Sequence, residues 1–133
     1  MRFSTLVVVG DKKGRVGVGL AKAPDVKNSV RKATEAAKRK MITVALSGTT
    51  IPYSVTEKFS AARILLKPAP AGSGIIAGGA IRVVLESAGI RDAVGKILGT
   101  KNKTSNIYAT MKALERISKI QKRRENRDHG KSN

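Results

Sequence analysis

The sequence predicts an α+β fold of two small domains, and three observations carry that reading. Residues 3–21 form two β-rich runs around the turn "GDKKG". Apolar residues then recur at helical spacing from Pro24 onward. A polar break, "SGTTIP" at Ser47–Pro52, separates this half from a second mixed set of strands and helices. The 133 residues suffice for one compact domain or two small ones. The expected division is a first domain over 1–47, a second over 48–118 and a basic disordered tail over 119–133.

Each element has its own signal. Phe3–Val9 is rich in β-formers, and Asp11 and Gly14 suit a tight turn with a left-handed closing residue. "RVGVGLA", Arg15–Ala21, returns as the second strand. Gly17 and Gly19 fall on one face of it, which lets another backbone approach closely. Pro24–Leu46 reads as a helix with Val30, Ala33, Ala37, Met41 and Val44 on its apolar face. Lys27, Arg31, Glu35 and Lys38 take the opposite face. Asp25 suits the positive end of the helix dipole, and Lys38, Arg39 and Lys40 suit the negative end. The first half is therefore β-β-α.

In the second half, Tyr53–Phe59 and Ala62–Lys67 read as strands, closed off by Pro68 and Pro70. A glycine-rich turn leads into a helix over Ala80–Ala88, with Ile81, Val84, Leu85 and Ala88 on one side and Gly89 as its cap. Asp92–Gly99 is a short strand or turn, and Lys101–Asn106 a polar loop. The last helix, Ile107–Ile120, turns Ile107, Met111, Leu114 and Ile117 or Ser118 inward. From Gln121 the chain is charged and loses its apolar period, the pattern of a segment without fixed structure unless bound. No internal repeat is present. The second half is roughly β-β-α-β-α.

Charge decides the class of partner. Lys and Arg number 27 against 9 Asp and Glu, a net charge of +18 spread along the whole chain. A free protein of this size and charge repels itself, so a polyanion is the expected partner, nucleic acid before membrane. No run approaches the roughly 18 apolar residues that span a bilayer. Cysteine is absent, which excludes disulfides, zinc–thiolate sites and thiol nucleophiles and suits a reducing compartment.

The glycine-rich stretch "PAPAGSGIIAGGAIRVVLESAGI", Pro68–Ile90, raises an enzymatic reading and fails it. Gly72, Gly74 and Ala77 spell the G-x-G-x-x-A of a dinucleotide site. That motif needs its glycines directly after a strand, whereas Pro68 and Pro70 intervene. Asp92 lies at the distance of a ribose-binding acid, with no parallel strand expected to carry it. The loop is faintly similar to those of galactokinase-type small-molecule kinases. It has Ile75 and Ile76 where those have serines, in a chain far too short. The acids are scattered, and the single histidine, His129, lies in the charged tail. Nothing assembles a general acid–base pair, a triad or a metal site, so no cofactor and no small-molecule substrate are expected.

Nucleic-acid contact has more behind it. Lys12, Lys13 and Arg15 sit at a hairpin tip, and Lys38, Arg39 and Lys40 at a helix end. Lys101 and Lys103 flank Asn102, and Arg2, Lys22, Lys27, Arg31, Lys32, Arg63 and Lys67 add further positive charge. Cations on short rigid protrusions neutralise phosphates. Aromatics make up only 3% of the chain, too few for base stacking, so recognition is expected by shape and phosphate, as for structured RNA. Composition alone leaves open a free-standing basic RNA- or DNA-binding protein.

Four segments add a resemblance. "VVVGDKKGRVGVG", Val7–Gly19, closely resembles the signature hairpin of the bacterial small-subunit ribosomal protein five, or uS-five, family. "KRKMITVAL", Lys38–Leu46, is similar to the end of that family's first helix. Pro68–Ile90 resembles its second-domain signature almost residue for residue, and "GTKNKTSNIYATMKAL", Gly99–Leu114, its last loop and helix. The likeness runs in order from about Phe3 to Ile117. It implies a first domain similar to a double-stranded-RNA-binding domain, and a second β-α-β domain with a left-handed crossover. The kinase likeness then reflects a shared fold without shared chemistry.

The resemblance further implies a structural protein, not an enzyme, that binds 16S-type rRNA at the head–body junction in the cytoplasm of a bacterium, in preference to an organelle. Its neighbours would be small-subunit proteins four and eight, with protein three nearby around the mRNA entry channel. Gly72, Gly74, Ile75, Gly78, Gly79 and Arg82 would form the surface toward protein four, where changes affect decoding accuracy. The likeness starts inside the leading strand of the hairpin. The family's preceding strand and Gly-Arg-rich loop are expected to be missing, with Met1 either internal to a longer protein or the true start. Leu20-Ala21 replaces a usual aromatic-Gly, and Lys103 a frequent Pro.

Overall fold

The computed structural model describes residues 3–131, with side chains described as far as Arg124. Strand β1 (Phe3–Gly10) and strand β2 (Arg15–Ala23) form the expected hairpin, with Val7 opposite Gly19 and Val9 opposite Gly17. Helix α1 (Val26–Arg39) starts at Asp25, whose carboxylate accepts the Asn28 amide at 3.1 Å. The helix lies against β1 and β2 on the face that carries Gly17 and Gly19. A Cβ at Gly17 would run into the carbonyl oxygen of Ala37, and one at Gly19 into that of Ala33. Small residues meet this notch: Ser29, Ala33 and Ala37 are buried, and the Ser29 hydroxyl shares a 2.7 Å hydrogen bond with Thr5.

Here the structure corrects the apolar face read from the sequence. Val30 is exposed, and Ser29 is buried in its place with its hydroxyl on Thr5 of β1. The helix also stops at Arg39 instead of running to Leu46. Ile42–Thr43 become a short strand, β3, paired with the start of β2, and the Val44 amide donates to the Gly14 carbonyl at 2.6 Å. The β-branched run Ile42-Thr43-Val44 favours this extended pairing over a helical period. The first sheet has the order β1-β2-β3.

The second sheet has the order β4-β5-β7-β6, from β4 (Val55–Phe59), β5 (Ala62–Pro68), β6 (Ile75–Ile76) and β7 (Ala93–Ile97). β5 runs antiparallel to both of its neighbours, β4 and β7, while β6 and β7, which precede and follow helix α2 (Gly79–Ala88), run parallel. Helix α3 (Lys103–Lys131) packs with α2 and against β4 and β5. It departs from expectation at both ends. It begins inside the predicted polar loop, since Asn102 Oδ1 accepts the Ser105 amide at 3.1 Å and caps it. It also continues past residue 120, where Tyr53 donates its hydroxyl to Gln121 at 2.7 Å and the Arg124 guanidinium lies 4.4 Å from the Tyr53 ring centre.

The two sheets share one core. Val16, Val18 and Val44 from the first half pack in the same cluster as Ile51, Ile64, Leu66, Ile81, Leu85, Leu114 and Ile117 from the second. At its edge the hairpin tip touches the end of α2. The Lys12 amide donates to the Ser87 carbonyl at 3.1 Å, and the Gly14 amide to that of Ala88 at 2.9 Å.

Replacing Gly19 with Ala should destabilise the protein by about 3 kcal/mol, because the new methyl meets backbone that cannot step aside. Gly79→Ala should instead stabilise by about 0.5–1 kcal/mol, since that site is open and helical. Urea midpoints of the two variants check the pair, and equal effects would contradict the notch.

Candidate nucleic-acid interface

The hairpin tip is a rigid mount for cations. Asp11 Oδ1 accepts the amides of Lys13 at 2.8 Å and Arg15 at 3.0 Å. The Lys13 amide, with help from the amide and charge of Arg15, holds the Asp11 carboxyl below its ordinary pKa, outweighing the opposing effect of partial desolvation. Lys12 adopts a left-handed backbone, φ 59°, ahead of Gly14 at φ 99°. Lys12, Lys13 and Arg15 are thereby exposed on a fixed turn.

The glycine-rich loop is held from beneath and bare above. Asp92 is only 4% exposed, and its Oδ1 accepts the Gly74 amide at 2.8 Å. A hydrogen bond from the Thr49 side chain, then the amides of Gly74 and Gly72, hold its carboxyl below the ordinary value against the effect of desolvation. Thr50 Oγ1 accepts the Ala69 amide at 3.1 Å and fixes the loop's entry. On the outer side, Gly72 and Gly74 have left-handed backbones, φ 90° and 76°, with no atom within 4 Å of where a Cβ would stand. Gly79 is equally open, and Gly78 meets only Ile97 Cδ1 at 3.4 Å. The segment after Asp92, expected as a short strand or turn, is the strand β7, and contrary to the sequence reading it runs parallel to a neighbour, β6. The carboxylate nevertheless turns onto its own loop's amides.

Tip and loop meet at a groove of about 420 Å³ lined by Lys12, Gly74, Ile75, Arg82, Glu86 and Arg91 among others. Arg82 Nε lies 2.9 Å from Glu86 Oε1, which leaves Lys12 and Arg91 as further cations along the wall. The remaining candidates do not converge on this groove. Lys27, Arg31, Lys38 and Arg39 are exposed on α1, Lys40 caps it, Lys22 is near the end of β2, and Arg63 and Lys67 are on β5. Lys101 and Lys103 border a second, more apolar groove of about 410 Å³ with Gly79, Val83 and Ile97. Asn102, expected to contact RNA from a loop, spends its side-chain oxygen on the cap of α3. Arg2 lies outside the described residues. The sequence reading missed Arg91, and it missed that Asp92 fastens the loop. A period-two reading of 91–97 carries no signal for that contact, because Thr49 and Gly74 are distant in sequence. Among the described residues no cluster of His, Cys, Asp and Glu could hold a metal, and no helix is long and apolar enough to cross a membrane.

Comparison with known proteins gives a consistent assignment. Residues 1–45 match the family model described as ribosomal protein S5, N-terminal domain, and residues 57–127 match ribosomal protein S5, C-terminal domain. The chain is 45% identical over 126 residues to the small ribosomal subunit protein uS5 of Chloroflexus aurantiacus, a match that covers 95% of this chain and 71% of the relative.

The Asp92 contact makes stability depend on pH in a defined direction. A carboxyl whose folded pKa is depressed stabilises the fold above its unfolded value of about 3.9, and that contribution fades as pH falls through the folded value. Asp92→Asn should therefore lower the urea midpoint at neutral pH, with the gap to the parent protein closing in acid. A gap that stays constant with pH would contradict this role.

Proposed function

The chain belongs to the ribosomal protein S5 family of the small ribosomal subunit, and from that premise we propose that it is a structural constituent of a bacterial cytoplasmic ribosome. It binds 16S-type rRNA near the head–body junction and the mRNA entry channel. Its neighbours there are small-subunit proteins four and eight, with protein three nearby. One observation carries the reading: both family domains occur in order on one chain whose candidate phosphate-binding cations are exposed on its tip, helix and strand surfaces. Contact is with the RNA backbone, made by Lys12, Lys13 and Arg15 at the tip, by Lys22, by Lys27, Arg31, Lys38, Arg39 and Lys40 along α1, and by Arg63, Lys67, Lys101 and Lys103 on the second domain.

The bare outer side of the glycine loop is the surface toward protein four. Gly72, Gly74, Ile75, Gly78, Gly79 and Arg82 present backbone with few side chains, which lets a neighbouring chain come close. Through this contact the protein supports decoding accuracy.

A sucrose gradient of cell lysate at moderate salt, with each fraction probed by mass spectrometry, tests the ribosomal assignment. The protein should comigrate with the small subunit; recovery at the top of the gradient or with DNA would favour a free-standing basic nucleic-acid-binding protein. Gly74→Arg tests the loop. It should cost only about 1 kcal/mol in stability, from the left-handed backbone, while changing the readthrough of a miscoding reporter. Unchanged fidelity in a variant that still assembles would remove the loop from the interface with protein four.

A further inference from the structure

The second sheet has helices on one face only. Side chains alternate across strands, so the register sorts its residues into two sets. Val55, Ala62, Ile64, Leu66 and Ala93 are buried toward α2 and α3. The alternate positions carry Thr56 and Lys58 on β4, Arg63, Leu65 and Lys67 on β5, and Val94 and Lys96 on β7, with Ile76 of β6 opposite Val94. Lys58 stands directly opposite Arg63, and Leu65 directly opposite Lys96. Lys96 therefore has Arg63 and Lys67 as its diagonal neighbours on β5, about 7–8 Å away along the backbone. All of these cations are exposed, around a half-buried Leu65.

No acid shares this face. Glu57 turns to the helix side, where its Oε2 lies 3.6 Å from Arg116 Nη1. The ion pairs found among the described residues are Arg82–Glu86, Arg116–Glu57 and Lys119–Glu115, and none draws a cation from this set. Like charges directly across a strand pair destabilise it, and a merely solvated face mixes signs to avoid that. Lys58 opposite Arg63, with no acid to separate them, is an arrangement relieved by a bound polyanion.

We propose that this uncovered sheet face is a second RNA-backbone platform, with Lys58, Arg63, Lys67 and Lys96 as its phosphate contacts. It rests on the RNA-binding reading above and adds Lys58 and Lys96, which that reading does not use. The chemistry favours RNA over an acidic protein. Leu65 and Val94 on this face are half-buried and exposed Ile76 lies beyond Val94 at the β6 edge, so the area among Lys58, Arg63, Lys67 and Lys96 presents cations more than an anchor for a protein. Phosphate contact needs none. With no aromatic side chain among these positions, the platform takes the outside of a structured RNA and not splayed bases.

The test uses the full chain and a fluorescent RNA duplex, titrated over a range of salt concentrations. Arg63→Gln with Lys96→Gln removes two cations from the face, and Lys119→Gln with Lys122→Gln removes two from α3 as a charge-matched control. The face variant should weaken binding about tenfold and reduce the salt slope by about 2, while the control keeps nearly the parent slope. The thermal midpoint of the face variant should hold or rise, so lost binding cannot be lost folding. Equal losses in both variants, or none in either, would overturn the platform. So would a face variant that loses affinity for poly-glutamate but not for RNA, since that surface would be built for an acidic protein. If the parent chain fails to bind the duplex at all, the RNA-binding reading itself falls, and the platform with it.

Discussion

Two stretches of bare backbone, the tip of the β1–β2 hairpin and the end of α2, lie directly against each other, and the rest of the arrangement depends on that seam. Its hydrogen bonds run from the Lys12 and Gly14 amides to the carbonyls of Ser87 and Ala88. Gly10 and Gly89 make the approach possible. A Cβ at Gly10 would strike the Ser87 carbonyl, and one at Gly89 that of Lys12. Gly89 also closes α2 in a left-handed conformation, φ 91°, so its position is constrained twice over. Behind the seam the valines of the first sheet enter the core built by the second. The two sheets are thus joined by shared apolar packing and by direct backbone contact at the functional edge.

From the seam, a continuous run of contacts reaches the glycine loop. The cap at Gly89 leads into buried Ile90, and the next two amides, of Arg91 and Asp92, both donate to the Thr49 carbonyl. Asp92 then grips the Gly74 amide. Hairpin tip, helix end and loop are therefore positioned relative to one another by an unbroken series of hydrogen bonds. This rigidity suits a surface that recognises a partner by shape and charge. Long, solvated lysines gain little individually from phosphate contact, and presentation on a fixed frame lets several act together.

The sequence made the framework legible wherever a local rule sufficed. The turn at Asp11–Gly14, the shared face of Gly17 and Gly19, and the cap at Gly89 follow from strand alternation and from the conformations open to glycine. It misled where distant pairing competed with a local period. Ile42–Thr43 left the helix because β2 offered an edge, and Val30 yielded its place to Ser29, whose hydroxyl meets that of Thr5 on β1. The extension of α3 beyond residue 120 depends on Tyr53, far away in sequence. At the site, the exposed cations were readable from composition. The clip at Asp92 and the grouping of Lys58 and Lys96 with Arg63 and Lys67 were not, because both come from register between strands and not from any motif.

Native-state hydrogen exchange at the Lys12 and Gly14 amides addresses the seam most directly. Both amides belong to the hairpin turn, Lys12 exposed and Gly14 buried, and a hairpin that moved independently would let them exchange by local opening. If the seam joins the halves into one unit, these amides exchange only as slowly as the buried core amides of Val16 and Leu66. Fast exchange at both, with the core still protected, would mean that tip and glycine loop move separately, and the account of a single rigid binding edge would be wrong.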